Sequence, residues 1–421
     1  MGIPITTHKT LQSRTQKGDK LLQIVNSAQL LNVPIKDYMI ENDLHEFTIR
    51  AVEDFASRYR DFKILNNYYD YTDMLVMAKS ADLETPDLDV LFIDEAQDLS
   101  TLQWLLTDRL ASTSKSVVIA GDDKQSINSF VGADVDTFLD INGRVEVLSQ
   151  SYRVPRAVFN IANKIVDHMF KFRAEGSVWK PRKEPGMVKR CSSYPIREML
   201  SGEWLVLARA AYQLTDVQDQ LLRLSEDGAV MFTVNGEPPI DMEIFRAIAL
   251  FKVADLPRSP KLRDLVQLKD SDDLSTRKDK MDYIRLFKKF ISCDTKGDMQ
   301  PWEVNDIFLE KLDQQWFMAM DKVPLHIRRY ARELYPLYVK KGSELFDDAK
   351  IRLMTIHAAK GREADNVMVN LDVPRTVREN LLRKDMDDEA KVLYVAVTRA
   401  KKNLYLYGKS QDHLSLAKYL K

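Results

Sequence analysis

Two adjacent carboxylates, Asp94 and Glu95, directly follow the apolar run Val90–Ile93. A run of this length and composition predicts a short buried strand that ends at the two acids. Ligands of α/β sheets bind at the carboxyl ends of strands. Nucleotide hydrolases hold a Mg²⁺ ligand beside the group that positions or activates the attacking nucleophile. The pair therefore indicates nucleotide hydrolysis, and the alternative is a strand that simply enters a solvated turn.

Later segments favour the first interpretation. They are VVIAGDDKQSINSFVGA (Val117–Ala133), LSQSYRVP (Leu148–Pro155), IRLMTIHAAKGREADNVMV (Ile351–Val369) and VLYVAVTRAKKNLYL (Val392–Leu406). In this order, Val90–Ser100 and these four segments resemble motifs II to VI of the UvrD/Rep-like superfamily 1 DNA helicases. DYTDML (Asp70–Leu75) resembles the segment that precedes motif II there.

The resemblance implies ATP and Mg²⁺ as cofactors and gives five residues catalytic roles. Asp94 would coordinate Mg²⁺, and Glu95 would accept a proton from the attacking water. Gln125 matches the glutamine that senses the γ-phosphate. Arg153 and Arg399 match the arginines that reach this phosphate, where guanidinium groups suit charge spread over three oxygens. The alternatives are a polar turn residue for Gln125 and surface ion pairs for the arginines.

Other matched positions would bind the nucleotide or DNA. Tyr152 matches a tyrosine that packs on adenine, with a core tyrosine as the alternative. Gly361 and Glu363 match the motif V turn, whose glutamate hydrogen-bonds the ribose. Thr355 and His357 match positions near the phosphates of the DNA strand.

Phe130 falls where the family carries a tryptophan that stacks on a base. The family pattern SIYxWRGA reads SINSFVGA here (Ser126–Ala133), so Asn128 and Val131 replace a tyrosine and an arginine. Because stacking contributes roughly 1–3 kcal/mol per base, we expect a weaker or altered grip on single-stranded DNA.

The sequence contains no GxxxxGK[ST] loop, whose amides and lysine hold the phosphates. QKGDK (Gln16–Lys20) and DTKGDM (Asp294–Met299) lack the required spacing. ITTHKTL (Ile5–Leu11) resembles a family segment that follows the loop. We therefore expect a chain that starts partway through the first motor domain and has negligible ATPase activity alone.

The resemblance predicts an α/β fold with two RecA-like parallel-sheet motor domains and helical insertions. The first domain, 1–147, would be incomplete at its amino end and carry an insertion at about 21–79. The second, 148–421, would carry a helical accessory insertion at about 239–345. We expect strands at Val117–Ala120, Val145–Leu148, Trp204–Ala208 and Ile351–Thr355, among others, and a helix at Leu102–Ala111.

Composition sets further bounds. The 421 residues are 45% hydrophobic and 30% charged, which is typical of globular proteins. The net charge of −1 gives no global attraction to nucleic acid, so DNA affinity must come from local basic surface. Two cysteines and six scattered histidines predict neither disulfides nor zinc. With no long apolar run or signal peptide, we expect no membrane contact and an intracellular location with DNA, in a bacterial or phage-infected cell.

Three functional classes remain. The first is the carboxyl-terminal portion of a DNA helicase or translocase that acts on single-stranded DNA or on single/double-strand junctions. It would move 3′ to 5′ in repair, recombination or replication, and it would need an amino-terminal partner segment with the phosphate loop. The second is a non-catalytic DNA-binding or scaffolding relative. The third, a nucleotide hydrolase unrelated to DNA, is disfavoured by the segments that resemble motifs V and VI.

Overall fold

A computed structural model describes most of the chain as a mixed α/β protein. The described residues are 17–81, 84–128, 132–170, 179–224, 230–255, 285, 289–290, 317, 320–375, 377–378, 386–408, 416 and 420. The principal α-helices among them are α1 (Lys17–Leu30), α2 (Ile35–Glu41), α3 (Ile49–Asn66), α4 (Tyr71–Ser80), α5 (Thr101–Ala111), α6 (Val135–Leu139), α7 (Arg156–Met169), α8 (Ile196–Met199), α9 (Thr215–Arg223), α10 (Glu243–Asp255), α11 (Leu325–Lys341) and α12 (Asp387–Val397).

Strands alternate with these helices, as the sequence predicts for an α/β fold. They are β1 (Leu91–Ile93), β2 (Val117–Ile119), β3 (Gln150–Pro155), β4 (Lys180–Arg182), β5 (Met187–Cys191), β6 (Trp204–Ala208), β7 (Phe232–Val234), β8 (Ile351–Thr355), β9 (Ala364–Asn370) and β10 (Ala400–Tyr407). One sheet has the strand order β5-β10-β9-β6-β8-β7, and β1 with β2 and β3 with β4 form two-stranded sheets. Each of the pairs β1–β2, β3–β4, β5–β10, β9–β10 and β7–β8 is parallel.

Helices α1 to α4 occupy the segment at about 21–79 for which the sequence predicts a helical insertion. Apolar residues recur at helical spacing on α1, so that Leu21, Ile24, Val25 and Ala28 form one buried face. Residues of α2 and α3 complete this small core, with Val52 fully buried. This helical segment therefore has a hydrophobic cluster of its own.

A buried cation joins α3 to α4. Asp70 caps α4 in a reciprocal capping box with Asp73, because each side chain accepts the other residue's amide. Lys63 of α3 donates to both carboxylates at 2.7 Å, and its side chain is only 9% exposed. Lys63 also lies 4.4 Å from the centre of the Tyr59 ring. DYTDML is thus the start of α4, and the hydrogen bonds from Lys63 connect it to α3.

The strands that lead to the two carboxylates lie close to the predicted positions, but the prediction that β1 is buried is wrong, since Phe92 of β1 is 74% and Val118 of β2 is 45% exposed. β1 pairs with β2 from Leu91 opposite Val117 to Ile93 opposite Ile119. Helix α5 follows β1 after a single 3-10 turn and begins at a capping box formed by Ser100 and Gln103. The chain therefore reverses direction quickly at the end of β1, which leaves the acids at the sheet's carboxyl edge.

The strand predicted at Val145–Leu148 is wrong. These residues have no assigned strand, and Val145 and Leu148 are 80% and 90% exposed. Their β-branched composition is suited to a strand, but a strand also requires a hydrogen-bonded neighbour. Strand structure begins only at Gln150, where β3 pairs with β4.

The larger sheet contains the most deeply buried residues. All five residues of β6 are buried, and β8 and β9 are mostly so. The carboxyl-terminal part of helix α12, Val392–Val397, is apolar on every side and is accordingly buried. Helix α7 instead buries one stripe that includes Val158, Ala162 and Ile165. Sequence predicted β6 and β8 with their observed bounds.

Contacts divide the chain into two compact units. The first unit comprises Met1–Ser192, Leu207–Gln213 and Thr355–Lys421, and the second comprises Ser193–Val206 and Leu214–Met354. Neither unit begins or ends at 147/148, where the sequence predicts the boundary between the two motor domains. That boundary stays a prediction. Of the predicted insertion at 239–345, α10 and α11 and a few isolated residues are described. No helix among the described residues is long and apolar enough to cross a bilayer.

Replacing Lys63 by Met should destabilise the α3–α4 pair by roughly 1–3 kcal/mol, because two partly buried carboxylates lose their cationic partner. Burial raises the pKa of Asp70, but the hydrogen bonds from Lys63 and Asp73 outweigh burial and bring this pKa below its usual 3.8. The contribution of Asp70 is therefore present above pH 3.8 and is lost as pH falls through the lower folded-state pKa.

Amide hydrogen exchange in α3 and α4 measures this effect. Lys63→Met should exchange faster than wild type at pH 7, and the difference should shrink as pH falls below 3.8, through the lowered pKa of Asp70. Lys36→Met, an exposed lysine on α2, is the matched control. Equal protection in wild type and Lys63→Met at pH 7 would contradict the role given to this lysine.

Candidate nucleotide-hydrolysis site

The two carboxylates are held in an unusual backbone turn. Glu95 has φ of 51° and ψ of 39°, the left-handed conformation that side chains other than glycine's rarely adopt. Such a residue costs of order 1–3 kcal/mol and persists only where its surroundings impose it. The Glu95 amide donates to Asp94 Oδ1 at 2.9 Å. Both acids are exposed, so both can meet a ligand that arrives from solvent.

A buried amide side chain, Gln97, joins the ends of β1 and β2. Its Nε2 donates to Glu95 Oε2 at 2.5 Å, and its Oε1 accepts the Asp122 amide at 3.0 Å. Gly121 leaves the space for this, since a Cβ there would lie 2.7 Å from Gln97 Oε1 and 2.8 Å from the Phe138 ring. Sequence reasoning missed Gln97, although it stands two residues after Glu95 in the quoted motif.

Gln125 and Arg399 contact each other directly. Arg399 Nη2 donates to Gln125 Oε1 at 2.7 Å, and Arg399 Nε donates to the Val395 carbonyl at 3.0 Å. Gln125 Nε2 in turn donates to Asp122 Oδ2 at 2.5 Å. The residues predicted to sense and to stabilise the γ-phosphate are therefore neighbours, although 274 positions separate them in the chain.

The pKa of Arg399 reflects its burial and the charges of the neighbouring side chains. The residue is 2% exposed, and burial lowers its pKa to about 10, helped by repulsion from Arg153. Glu95, Glu363 and Asp122 oppose this shift. Arg399 nevertheless remains charged at pH 7, and the structure brings these predicted residues into one electrostatic environment.

Arg153 and Tyr152 lie side by side on β3. The Arg153 Nε is buried and has no hydrogen-bond partner among the described residues. Tyr152 is 87% exposed, so its ring does not belong to the core. An exposed ring beside a cation can take up a ligand with an aromatic part and an anionic part.

The turn after β8 carries the residues predicted for motif V. Gly361 has φ of 76°, so the turn requires a residue that tolerates the left-handed region. Lys360 Nζ donates to Asp98 and, at 2.8 Å, to the Gln125 carbonyl. Glu363 is exposed and pairs with Lys401 at 3.5 Å. This turn therefore contacts the loops that follow β1 and β2.

His357 lies in the same turn and is neutral at pH 7. Burial lowers its pKa to about 4, with help from the positive charge of Arg209 and against a backbone hydrogen bond to Ile127. Thr355 Oγ1 accepts the Ala358 amide at 3.3 Å. A neutral His357 can donate one hydrogen bond to a phosphate, but it brings no charge.

Two further contacts were not predicted. Arg209 makes a two-oxygen ion pair with Glu389 of α12, with N–O distances of 2.8 to 3.0 Å. Asn128 Nδ2 donates to Asp98 Oδ1 at 3.2 Å, so the residue that departs from the family pattern has a local partner. Phe130, predicted to stack on a base, lies outside the described residues.

Comparison with known proteins identifies the family. The sequence model of the UvrD/REP helicase N-terminal domain matches residues 4–146. That of the UvrD-like helicase C-terminal domain matches residues 334–411, and the two matches together cover just over half of the chain. The chain belongs to the UvrD/Rep-like helicase family. This is a family of ATP-dependent DNA helicases, as the resemblance implied.

Individual relatives are distant. The chain is 26% identical to F-box DNA helicase 1 of Gallus gallus over 77% of this chain and 29% of that protein. It is 21% identical to a probable DNA helicase II homolog of Rickettsia felis, over 83% of this chain and 66% of the relative. It is 22% identical to ATP-dependent DNA helicase PcrA of Staphylococcus epidermidis, over 93% of this chain and 66% of the relative. The chain thus spans between 29% and 66% of these relatives.

We predict that the His357 ring shows no protonation step between pH 8 and pH 5. Because its folded-state pKa lies below the usual 6.5, the unfolded chain binds the proton first, and stability falls as pH drops from 6.5 towards 4. Imidazole resonances followed by NMR across this range test the prediction. A His357 midpoint near 6.5 would contradict the burial argument.

Proposed function

We propose that this chain is the carboxyl-terminal portion of an ATP-dependent DNA helicase or translocase that couples ATP hydrolysis to movement on single-stranded DNA. Activity would require a phosphate-loop segment. The resemblance to the UvrD/Rep type favours 3′ to 5′ movement, action at single/double-strand junctions, and an intracellular role in repair or replication.

The observation that carries this proposal is the contact between Arg399 and Gln125 beside Glu95 and Arg153. Two guanidinium groups in one electrostatic environment repel each other, and Arg399 is also buried. Such an arrangement costs free energy unless anions compensate it. Glu95, Glu363 and Asp122 supply part of this compensation. A nucleoside triphosphate would supply more, since its γ-phosphate presents three oxygens to planar donors.

The carboxylates are suited to the other part of the reaction. Asp94 is exposed and can hold Mg²⁺, which would neutralise charge on the β- and γ-phosphates. Glu95 is also exposed, and its Oε2 accepts a hydrogen bond from the buried Gln97. Gln97 therefore orients the carboxylate that would accept the proton of the attacking water.

Contacts of Lys360 support coupling between DNA and nucleotide. Lys360 lies in the turn that carries Thr355 and His357, the residues proposed to meet DNA phosphates. Its ammonium group contacts the Gln125 carbonyl, while the Gln125 side chain contacts Arg399. If DNA displaced the turn, Lys360 would therefore shift Gln125, the proposed γ-phosphate sensor.

A second candidate is a non-catalytic relative that binds DNA or serves as a scaffold. The absence of GxxxxGK[ST] from the 421 residues favours it. The retained Asp94, Glu95, Gln125, Arg153 and Arg399 favour catalysis, because a scaffold has no need of a buried arginine beside a proton acceptor.

Complementation separates these candidates. The chain alone should hydrolyse ATP at a negligible rate. Mixed with an amino-terminal segment of a UvrD/Rep-type helicase that contains GxxxxGK[ST], it should show DNA-stimulated hydrolysis. Glu95→Gln should lower this rate by about 10²–10⁴, the usual contribution of a positioned proton acceptor. Phosphate release with and without single-stranded DNA is the measurement.

Glu53→Gln, an exposed glutamate on α3, is the matched control and should leave the rate unchanged. A complemented wild type with no ATPase activity that still binds DNA would favour the non-catalytic candidate. A Glu95→Gln rate equal to that of wild type would remove Glu95 from the reaction.

We also expect Phe130→Ala to weaken binding of single-stranded oligonucleotides by roughly 5- to 150-fold, equivalent to one lost stacking contact of about 1–3 kcal/mol. Fluorescence anisotropy measures the affinity. Phe62→Ala, an exposed phenylalanine on α3, is the matched control. If both variants bind like wild type, Phe130 is not a stacking residue.

A further inference from the structure

Helices α7 and α12 adjoin the two arginines of the candidate site. α7 begins at Arg156, directly after β3, which carries Arg153. α12 ends at Val397, two residues before Arg399. The two helices pack against each other. Since Arg153 and Arg399 repel each other, the elements that carry them must be held together by other contacts.

Two such contacts come from Trp179, which stands immediately before β4. Its indole Nε1 donates to the Tyr394 hydroxyl of α12 at 3.1 Å. Its ring meets that of Phe159 on α7 edge to face, with the ring centres 4.7 Å apart and the planes inclined by 74°. A hydrogen bond and an edge-to-face ring pair both resist displacement of the groups that they join. We call Trp179, Tyr394 and Phe159 the aromatic cluster.

The aromatic cluster is also fixed to β3. The Lys180 amide, next to Trp179, donates to the Ser149 carbonyl at 2.7 Å, and β4 pairs with β3 from this point. The side chain of Gln150 donates to the Lys180 carbonyl at 3.3 Å. Trp179 is therefore held beside the start of β3, the strand that contains Arg153, while its side chain contacts α7 and α12.

The Tyr394 hydroxyl shares charged neighbours with Arg399. Burial raises the pKa of this hydroxyl, as does the charge of Asp122, while the hydrogen bond from Trp179 and the charge of Arg153 lower it. Arg153 and Asp122 also act on the pKa of Arg399. The polar end of the aromatic cluster therefore lies in the same electrostatic environment as Arg399.

We propose that Trp179 is a positioning residue for the two arginines. Through its two aromatic partners it sets the separation of Arg153 from Arg399, so that both guanidinium groups reach the same terminal phosphate. This role rests on the proposed function, in which that phosphate belongs to ATP. Trp179 lies outside every segment that resembles a family motif, so the resemblance gives it no role.

A purely structural role is the alternative, and conservative substitutions separate the two roles. Trp179→Phe keeps a ring but deprives the buried Tyr394 hydroxyl of its donor. Tyr394→Phe keeps the other ring but deprives the indole N–H of its acceptor. Each single variant should unfold at a lower urea concentration than wild type, because a polar group loses its partner. The double variant should be more stable than Trp179→Phe, since no unpaired hydroxyl remains.

Activity should not follow stability in this series. Complemented with an amino-terminal segment that contains GxxxxGK[ST], Trp179→Phe should hydrolyse ATP with a kcat lowered roughly 10- to 100-fold, as expected for misplaced reacting groups. The double variant should remain as slow, because the hydrogen bond is still absent. Affinity for a fluorescent non-hydrolysable ATP analogue should fall in all three variants. Affinity for fluorescent ADP should stay unchanged, since ADP lacks the phosphate that the arginines would meet.

Trp204→Phe is the matched control, because Trp204 also donates its indole N–H, in this case to the Ser201 carbonyl at 2.8 Å. It should lower stability and leave kcat unchanged. A double variant that recovers kcat together with stability would overturn the positioning role, as would an unchanged kcat in a folded Trp179→Phe. An equal loss of affinity for ADP and for the ATP analogue would do the same. If Trp179→Phe does not fold, the nucleotide comparison in Tyr394→Phe decides, since that variant removes the same hydrogen bond.

The role of Trp179 and the proposed function can fail separately. A complemented wild type that binds ADP and hydrolyses no ATP rejects the proposed function, and the role of Trp179 with it. A wild type that hydrolyses ATP, with Trp179→Phe equally fast, leaves the function standing and rejects only the role of Trp179.

Discussion

The hydrogen bonds of Gln97 connect the ends of β1 and β2, and the site depends on that connection. One amide side chain donates to Glu95 and accepts from the Asp122 main chain, in a space that only a glycine at position 121 leaves open. Asp122 then orients Gln125, and Gln125 accepts from Arg399. A single buried group is therefore the first member of a series of hydrogen bonds that reaches from the acids to the arginine.

Electrostatic balance explains why these groups tolerate one another. Arg399 is buried near a second arginine, and three acids offset the resulting cost. The acids are spread over three separate loops, so no single loop determines the charge of the site. The offset is partial, because the Arg399 pKa remains lowered. A polyanion that meets both arginines would reduce the remaining cost, and this favours nucleotide binding over a purely structural ion network.

Local sequence patterns predicted much of the fold. The apolar run of β6, the helix at α5 and the strand that ends just before Asp94 are all properties of consecutive residues. The segment 145–148 has the composition of a strand and is not one, because pairing depends on a neighbour that composition does not supply. Local pattern is thus sufficient for helices and buried strands, but it does not show whether a segment of strand-like composition finds a neighbour to pair with.

Motif resemblance predicted which residues gather near Arg399, but not how they are supported. The ion pair of Arg209 with Glu389 and the contact of Lys360 with Asp98 join residues 180 and 262 positions apart. The spacing of residues along the sequence does not indicate such pairs, because they form only when the chain folds. Gln97 differs from these residues, because it lies inside Val90–Ser100, the segment that resembles motif II. Its position could therefore have indicated a role in the site.

The exposed valines and phenylalanine of the two-stranded sheet also bear on the protein's behaviour during synthesis. Open apolar edges template intermolecular β-pairing, and such pairing leads to aggregation when the chain is concentrated. The yield of soluble protein should therefore fall as the concentration of newly made chain rises.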